Sequence, residues 1–303
     1  MKLLTPPGRE EAFIERAEGR ALVRYRRELE GSELARRLDK PGELLRLPGA
    51  EIIAAHANRL AAVPLGEGDA LPARGFVKAF GGRGLFSRLR SPRAARAWNV
   101  ACELLRLGVP TPEPVAISLP GPGEWREGAL VVEFIAGAQV RDYVNPMHVG
   151  GELPRGRSAE AFAAHLGRFV RSFHDAGAFH GDLGGGNILV TEPACASSEA
   201  NGLAPPGFAL VDVTRCRVGR SPNRLERLRD LARIKVPEVF RGALVEAYSE
   251  AEPRIANLAG QDGLTHPLYR AKLRLKRSLR RFLNPILGSR GGGGDRPPST
   301  PDQ

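Results

Sequence analysis

The chain has 303 residues, a formal net charge of +11, and 42% hydrophobic against 26% charged residues; that balance excludes a disordered chain, and the length suffices for one large domain or two lobes. The charge points to an anionic partner, but the excess is mostly arginine, with lysine only at Lys2, Lys40, Lys78, Lys235, Lys272 and Lys276, a skew that genome composition also produces, so raw charge is weak functional evidence. Cys102, Cys195 and Cys216 lack CxxC spacing and are odd in number, which argues against a zinc site and a disulfide framework, and no run of 18 apolar residues offers a membrane-spanning helix.

Taken in chain order, MKLLTPPGREEAF has only a two-leucine apolar run before prolines and charges, so no secretory leader is expected and a reducing cytoplasm is the default. Residues 1–32 read as a charged, helical N-terminal extension. From about residue 33 short apolar runs alternate with Gly and Pro: ELLRL, AEIIAAH, RLAAVPL and GFVKAF read as strands of an antiparallel sheet. In SPRAARAWNVACELLRLGVPTPEP, Ser91 is a candidate N-cap with Pro92 at the first helical position, Gly108 and Pro110 end the helix, and Trp98, Cys102 and Leu105 share a face. ALVVEFIAG (129–137) is the most apolar strand candidate. AEAFAAHLGRFVRSFHDAG (159–177) carries Phe162, Leu166, Phe169, Val170 and Phe173 at helical spacing. Ile188–Val190 and FALVDV (208–213) read as two strands joined as a hairpin through the polar loop 191–207. RSPNRLERLRDLARI (220–234) and LYRAKLRLKRSLRRFL (268–283) read as helices, and the Gly/Pro-rich tail 288–303 as disordered.

Between the long helix and that hairpin lies FHGDLGGGNILV (179–190), which sets Asp182 and Asn187 five positions apart in a glycine-rich loop. An ordinary turn, with Gly184 to Gly186 supplying backbone freedom, would use the same residue types. The order of three elements argues for more: a lysine in an N-terminal strand (Lys78 in GFVKAF), then HGDLGGGN, then an aspartate closing a strand (Asp212 in LVDV). Phosphoryl transfer from ATP needs a cation on the phosphates, a carboxylate to take the proton of the attacking hydroxyl, and oxygen ligands for Mg²⁺. The spacing Asp182-x4-Asn187 matches the protein-kinase catalytic loop, with Gly181 where an arginine usually stands. On matching positions Asp182 is the expected base, Asn187 and Asp212 the metal ligands, and Lys78 the phosphate anchor.

GFVKAFGGRGLFSRLRSPRAARAWNVACELLRLGVPTPEPVAI, SFHDAGAFHGDLGGGNILV and LVDVTRCRVGRSPNRLERLRDLARI resemble the lipopolysaccharide core kinases, a family that includes Kdo and heptose kinases; the resemblance covers roughly residues 35–235. It implies an α+β, bilobal protein kinase-like fold: a small antiparallel-sheet N-lobe with one helix (33–132) and a mainly helical C-lobe (133–287). It also implies transfer of the ATP γ-phosphate, with Mg²⁺, to a sugar hydroxyl of a lipid-linked glycan at the cytoplasmic face of a bacterial inner membrane. Glu133 to Ile135 would meet adenine through backbone groups, and Arg215 stands where the family usually has a basic residue.

Departures from the family pattern leave alternatives open. Ala97 stands where related sequences often carry the glutamate that pairs with the strand lysine, and Glu103 lies six residues on, rotated by about 240° net. Either another acid fills that role or Lys78 is unpaired. Three glycines replace the usual His or Pro of the loop, and no activation-loop segment follows Asp212. A pseudokinase, or another small-molecule or RIO-type kinase, is the alternative reading. The stretch 268–287 combines seven basic residues with Leu268, Leu275, Leu279, Phe282 and Ile286; it reads as a basic amphipathic helix on an anionic membrane surface, or as a helix with a solvated basic face. Nucleic acid is not an expected partner, since 6% aromatic residues offer little stacking surface.

Overall fold

A computed structural model of the chain describes residues 2–18, 21–55, 58–66, 71–80, 92–121, 128–149, 152–191 and 207–249, all within the unit Met1–Asn257. Along the chain run β1 (Phe13–Glu18), β2 (Ala21–Arg26), α1 (Glu33–Arg36), β3 (Glu51–Ala55), β4 (Asn58–Pro64), β5 (Arg74–Phe80), α2 (Arg93–Arg106), β6 (Pro114–Leu119) and β7 (Gly128–Glu133). There follow β8 (Ala138–Gln139), α3 (Val140–Tyr143), α4 (Ala159–Asp175), β9 (Ile188–Thr191), β10 (Gly207–Leu210), α5 (Arg224–Leu231) and α6 (Glu238–Ser249). The first set forms a seven-stranded antiparallel sheet in the order β1-β2-β6-β7-β5-β4-β3 with α2 against it; the second forms a three-stranded sheet, β10-β9-β8, with the remaining helices. The expected α+β class is therefore what the chain adopts.

The N-terminal segment corrects one expectation. Residues 13–18 and 21–26 are strands rather than helix: β1 pairs antiparallel with β2, and β2 with β6, Leu22 opposite Leu119 and Tyr25 opposite Ala116. The abundance of Glu, Arg and Ala favours a helix locally, but the pairing buries Val23 and Tyr25 completely, and tertiary burial overrides a weak propensity. Arg24, 9% exposed, places its guanidinium over Phe13 and Trp98 and donates to the Leu3 carbonyl at 3.1 Å. Residues 13–18 and 21–26 are thus built into the large sheet, and the segment before them packs onto α2, where Trp98 Nε1 donates to Leu4 O at 2.6 Å.

A second correction concerns ELLRL, where Leu44–Arg46 form a 3-10 turn instead of a strand. Leu44, Leu45 and Leu47 are buried all the same, and a five-residue apolar run carries too little periodicity to separate the two. The strands expected at AEIIAAH, RLAAVPL and GFVKAF are β3, β4 and β5. In α2, helical geometry starts one residue late, at Arg93, with Pro92 extended before it; Ser91 lies outside the described residues. Trp98 and Cys102 are fully buried, whereas Leu105 on that face is only partly buried and Leu104, on another side of the helix, is buried completely. Phe162, Leu166, Val170 and Phe173 of α4 are buried as their spacing predicts. Helix α5 is shorter than the helix expected over 220–234 and opens on a capping box, in which Asn223 and Glu226 bond each other's backbone N–H. The basic stretch 268–287 and the tail 288–303 lie outside the described residues.

Candidate active site

The loop 180–187 is held from beneath. Asp230 of α5, with no exposed surface, accepts from the His180 N–H at 2.9 Å and the Gly181 N–H at 3.0 Å, which satisfies a buried carboxylate with paired donors. His180 is also fully buried and bonds the Val211 carbonyl through Nε2 at 3.1 Å; burial lowers its pKa, so the ring is neutral and this nitrogen donates. Phe179 and Arg217 exchange backbone bonds of 2.9 and 2.8 Å, tying the loop's entry to the segment after Asp212. Within the loop, Asn187 Nδ2 donates to Asp182 O at 2.8 Å, and the Val211 N–H to Asn187 O at 3.0 Å. Glycine at 185 has a packing reason: a Cβ there would stand 3.1 Å from Arg141 N. Gly185 thus lets the backbone of α3 close onto the loop.

Strand β5 brings Lys78 to the end of β10. Lys78 Nζ lies 2.5 Å from Asp212 Oδ1 across 134 positions of sequence, and Thr214 Oγ1 donates to the same oxygen at 3.1 Å. Burial raises the Asp212 carboxyl, but the Lys78 ammonium together with the Thr214 hydroxyl and His180 holds the pKa below the usual carboxylate range. Asp212 has φ +53, the one non-glycine residue with positive φ among those described. A side chain held in that region costs energy and persists where surrounding structure enforces it, as functional sites often do. Ala97 is buried in α2, and the acid facing Lys78 is Asp212, not one of α2. Helix α2 reaches the same segment through Arg96 Nη2, 3.4 Å from Cys216 O. The Cys216 thiol is buried and pushed well up, so it is no nucleophile.

Asp182 has both carboxylate oxygens engaged: Oδ2 accepts from Arg215 Nη1 at 2.6 Å, and Oδ1 from Arg233 Nη2. Glu133 ends β7, with its N–H on Glu113 O at 2.9 Å, and Ile135 follows in the stretch leading from the large sheet to β8. Lys78, Asp182, Asn187 and Asp212 are thus brought to one neighbourhood through direct bonds and adjacent loops. The donor set suits a hard divalent cation: the Asn187 amide binds the loop through nitrogen, leaving Oδ1 as a ligand atom, beside an ionised Asp212.

Sequence reasoning missed Asp230, Arg233 and Arg141. Asp230 and Arg233 fall in the charged helical stretch 220–234, which reads as solvated surface, and Arg141 in the connection after ALVVEFIAG; only the fold turns Asp230 inward. It also missed α6, whose Tyr248 OH bonds His174 Nδ1 at 2.7 Å beneath the same loop.

A strand lysine paired with a carboxylate beside an Asp/Asn loop is the polar equipment of a phosphotransferase. Residues 82–250, more than half the chain, match the model of the lipopolysaccharide kinase (Kdo/WaaP) family. The chain belongs to that family, whose members are kinases acting on sugar hydroxyls. No curated protein matches in sequence. Among solved structures, WaaP in complex with acyl carrier protein is 17% identical, covers 78% of this chain and 98% of its own, and has a TM-score of 0.49. The Rio2 kinase-ADP/Mg²⁺-phosphoaspartate complex from Chaetomium thermophilum is 16% identical, covers 76% and 71%, and has a TM-score of 0.40.

Proposed function

We propose that this lipopolysaccharide kinase uses ATP to phosphorylate a hydroxyl of an inner-core sugar, Kdo or heptose, on a lipid-linked acceptor. The observation that carries this reading is the contact between Lys78 and Asp212, which joins the large sheet to the segment after β10, itself bonded through the Val211 N–H to the loop bearing Asp182 and Asn187. Lys78 supplies a fixed cation for the nucleotide phosphates, and Glu133 to Ile135 offer backbone groups to adenine. Asn187 and Asp212 would hold Mg²⁺, whose charge offsets that of the phosphates. Asp182 accepts the hydroxyl proton as the acceptor oxygen bonds the γ-phosphorus and the bond to ADP breaks. The loop stays rigid because Asp230 holds its backbone from a buried position, so Asp182 is presented without further ordering cost.

The test is ATP consumption with Mg²⁺, with and without a detergent-solubilised lipid extract, in the wild type and Asp182→Asn. Extract-dependent consumption should fall about 10²- to 10⁴-fold in the variant, while ATP affinity stays within about twofold. Equal turnover in the two proteins would remove Asp182 from the role of base.

A further inference from the structure

Behind the loop 180–187, α4, α5 and α6 meet at a chain of buried polar groups. Arg227 Nη1 lies 3.3 Å from the Tyr248 hydroxyl, that hydroxyl 2.7 Å from His174 Nδ1, and His174 Nε2 3.5 Å from Asp230 Oδ2. Tyr248, His174 and Asp230 have no exposed surface. Asp230 in turn holds the N–H groups of His180 and Gly181, the two residues ahead of Asp182. The Arg227 charge is balanced, since Nη1 also donates to Asp175 Oδ1 at 2.9 Å; Arg171 donates to the same carboxylate and, at 3.3 Å, to the Tyr248 carbonyl.

The chemistry of these groups allows one direction of donation. A guanidinium only donates, so the Tyr248 oxygen accepts from Arg227. An ionised carboxylate only accepts, so His174 must present its N–H on Nε2. A neutral imidazole has one N–H, which leaves Nδ1 an acceptor for the Tyr248 hydroxyl proton. The other tautomer would set the Nε2 lone pair against the Asp230 carboxylate and turn the buried hydroxyl proton away from Nδ1. Burial keeps His174 neutral and pushes the Tyr248 phenol up to about 12, so the hydroxyl keeps its proton. The bond from His174 to Asp230 is long at 3.5 Å, which makes it the link that a tilt of the imidazole breaks first.

We infer that Tyr248 is a positioning residue for the proposed phosphoryl transfer: oriented by Arg227, its hydroxyl fixes the tautomer and tilt of His174, which steadies Asp230 and, through it, the backbone that presents Asp182. This rests on the proposed role of Asp182. Tyr248 touches no reacting atom, and it lies 74 positions from His174 on a different helix, so its effect passes wholly through the buried chain of bonds. Removing the hydroxyl leaves His174 Nδ1 without its donor in a site closed to water, and the ring then gains by turning toward another partner.

The experiment is NMR and kinetics on the full chain near neutral pH, in the wild type and in Tyr248→Phe, which keeps the ring packed against His174 and Arg171. In the wild type the imidazole nitrogens of His174, assigned by their absence in His174→Gln, should show the proton on Nε2. In Tyr248→Phe the His180 and Gly181 amides should gain at least about 10-fold more in exchange rate than the amides of β5, which report unfolding of the whole domain. The kcat for extract-dependent ATP consumption should fall about 10-fold, the equivalent of one hydrogen bond, with the KM for ATP within about twofold. Leu38→Ala, in the core beneath the large sheet, serves as the stability control: its urea midpoint falls and its kcat does not. A proton on Nδ1 in the wild type overturns the direction of the chain of bonds. An exchange gain shared equally with β5 reduces Tyr248 to a structural residue, and faster exchange at His180 and Gly181 with unchanged kcat removes it from the reaction. Tautomer and exchange are read without turnover, so failure of the proposed reaction, seen as no consumption by the wild type, is distinguishable from failure of the Tyr248 assignment.

Discussion

At the scale of single residues, burial decides which charges the site can use. His174 and His180 have no exposed surface, and burial lowers both pKa values below 6.5, against some compensation from Asp230. Both rings are neutral in the fold. Below about pH 6.5 the unfolded chain takes up protons that the folded chain refuses, so stability falls as pH falls, by up to about 1.4 kcal/mol per pH unit for each histidine. Asp212 and Asp175 act in a lower window: their pKa values sit below 3.8, so their contribution is complete above 3.8 and is lost as pH drops through the depressed values. Urea midpoints measured between pH 7.5 and 5.5 should therefore fall in the wild type and fall less in His174→Gln; parallel slopes would count against the buried-histidine account. The lysine at 78 shows how far residue type alone reaches. GFVKAF marks it as a lysine in a strand and LVDV marks an aspartate ending one, but neither segment says that these two, 134 positions apart, meet.

At the scale of elements, the site depends on how closely helices approach behind it. Helix α4 crosses α6 at Gly167, where a Cβ would stand 2.3 Å from the Leu244 carbonyl oxygen. The same α4 carries His174, which meets Tyr248 of α6 and, at 3.5 Å, Asp230 of α5, so the crossing fixes the support under the HGDLGGGN loop. Gly167→Ala should force the helices apart and cost about 1–3 kcal/mol, seen as a lower urea midpoint; an unchanged midpoint would mean the crossing yields without strain. The apolar stripe of α4 was legible as a helix because Phe162, Leu166, Val170 and Phe173 repeat at helical spacing. Helix α6 was missed although Phe240, Leu244, Ala247 and Tyr248, all buried, also repeat at helical spacing; with only four such residues among charges and glycine, its signal is weaker than that of α4. The strand pair β1–β2 was misread for the opposite reason: its residues favour a helix locally, and only the neighbouring β6 makes the extended form the lower in energy.

For the whole molecule, membership of a lipopolysaccharide kinase family implies a lipid-linked sugar acceptor. Among the described residues no helix is long and apolar enough to cross a membrane, and the strongly basic stretch 268–287 belongs to the part not described. We expect removal of residues 266–303 to reduce sedimentation with vesicles containing anionic lipid, and the difference to shrink as salt is raised, since screening shortens the reach of surface charge. Unchanged sedimentation would assign that basic face to solvent.

The order strand lysine, Asp-x4-Asn loop, strand-ending aspartate was determined by the sequence itself, because each part sits in a short segment whose apolar flanks and glycines report local conformation. So were most strands of the large sheet, the long helix α4 and the hairpin that follows the loop. Which charges meet was decided only in three dimensions. Asp230 turning inward beneath the loop, Arg233 and Arg215 closing on Asp182, and Asp212 taking Lys78 in place of an acid on α2 join residues far apart in the chain. Their energies come from desolvation and pairing after the elements have packed, and nothing in local periodicity encodes either.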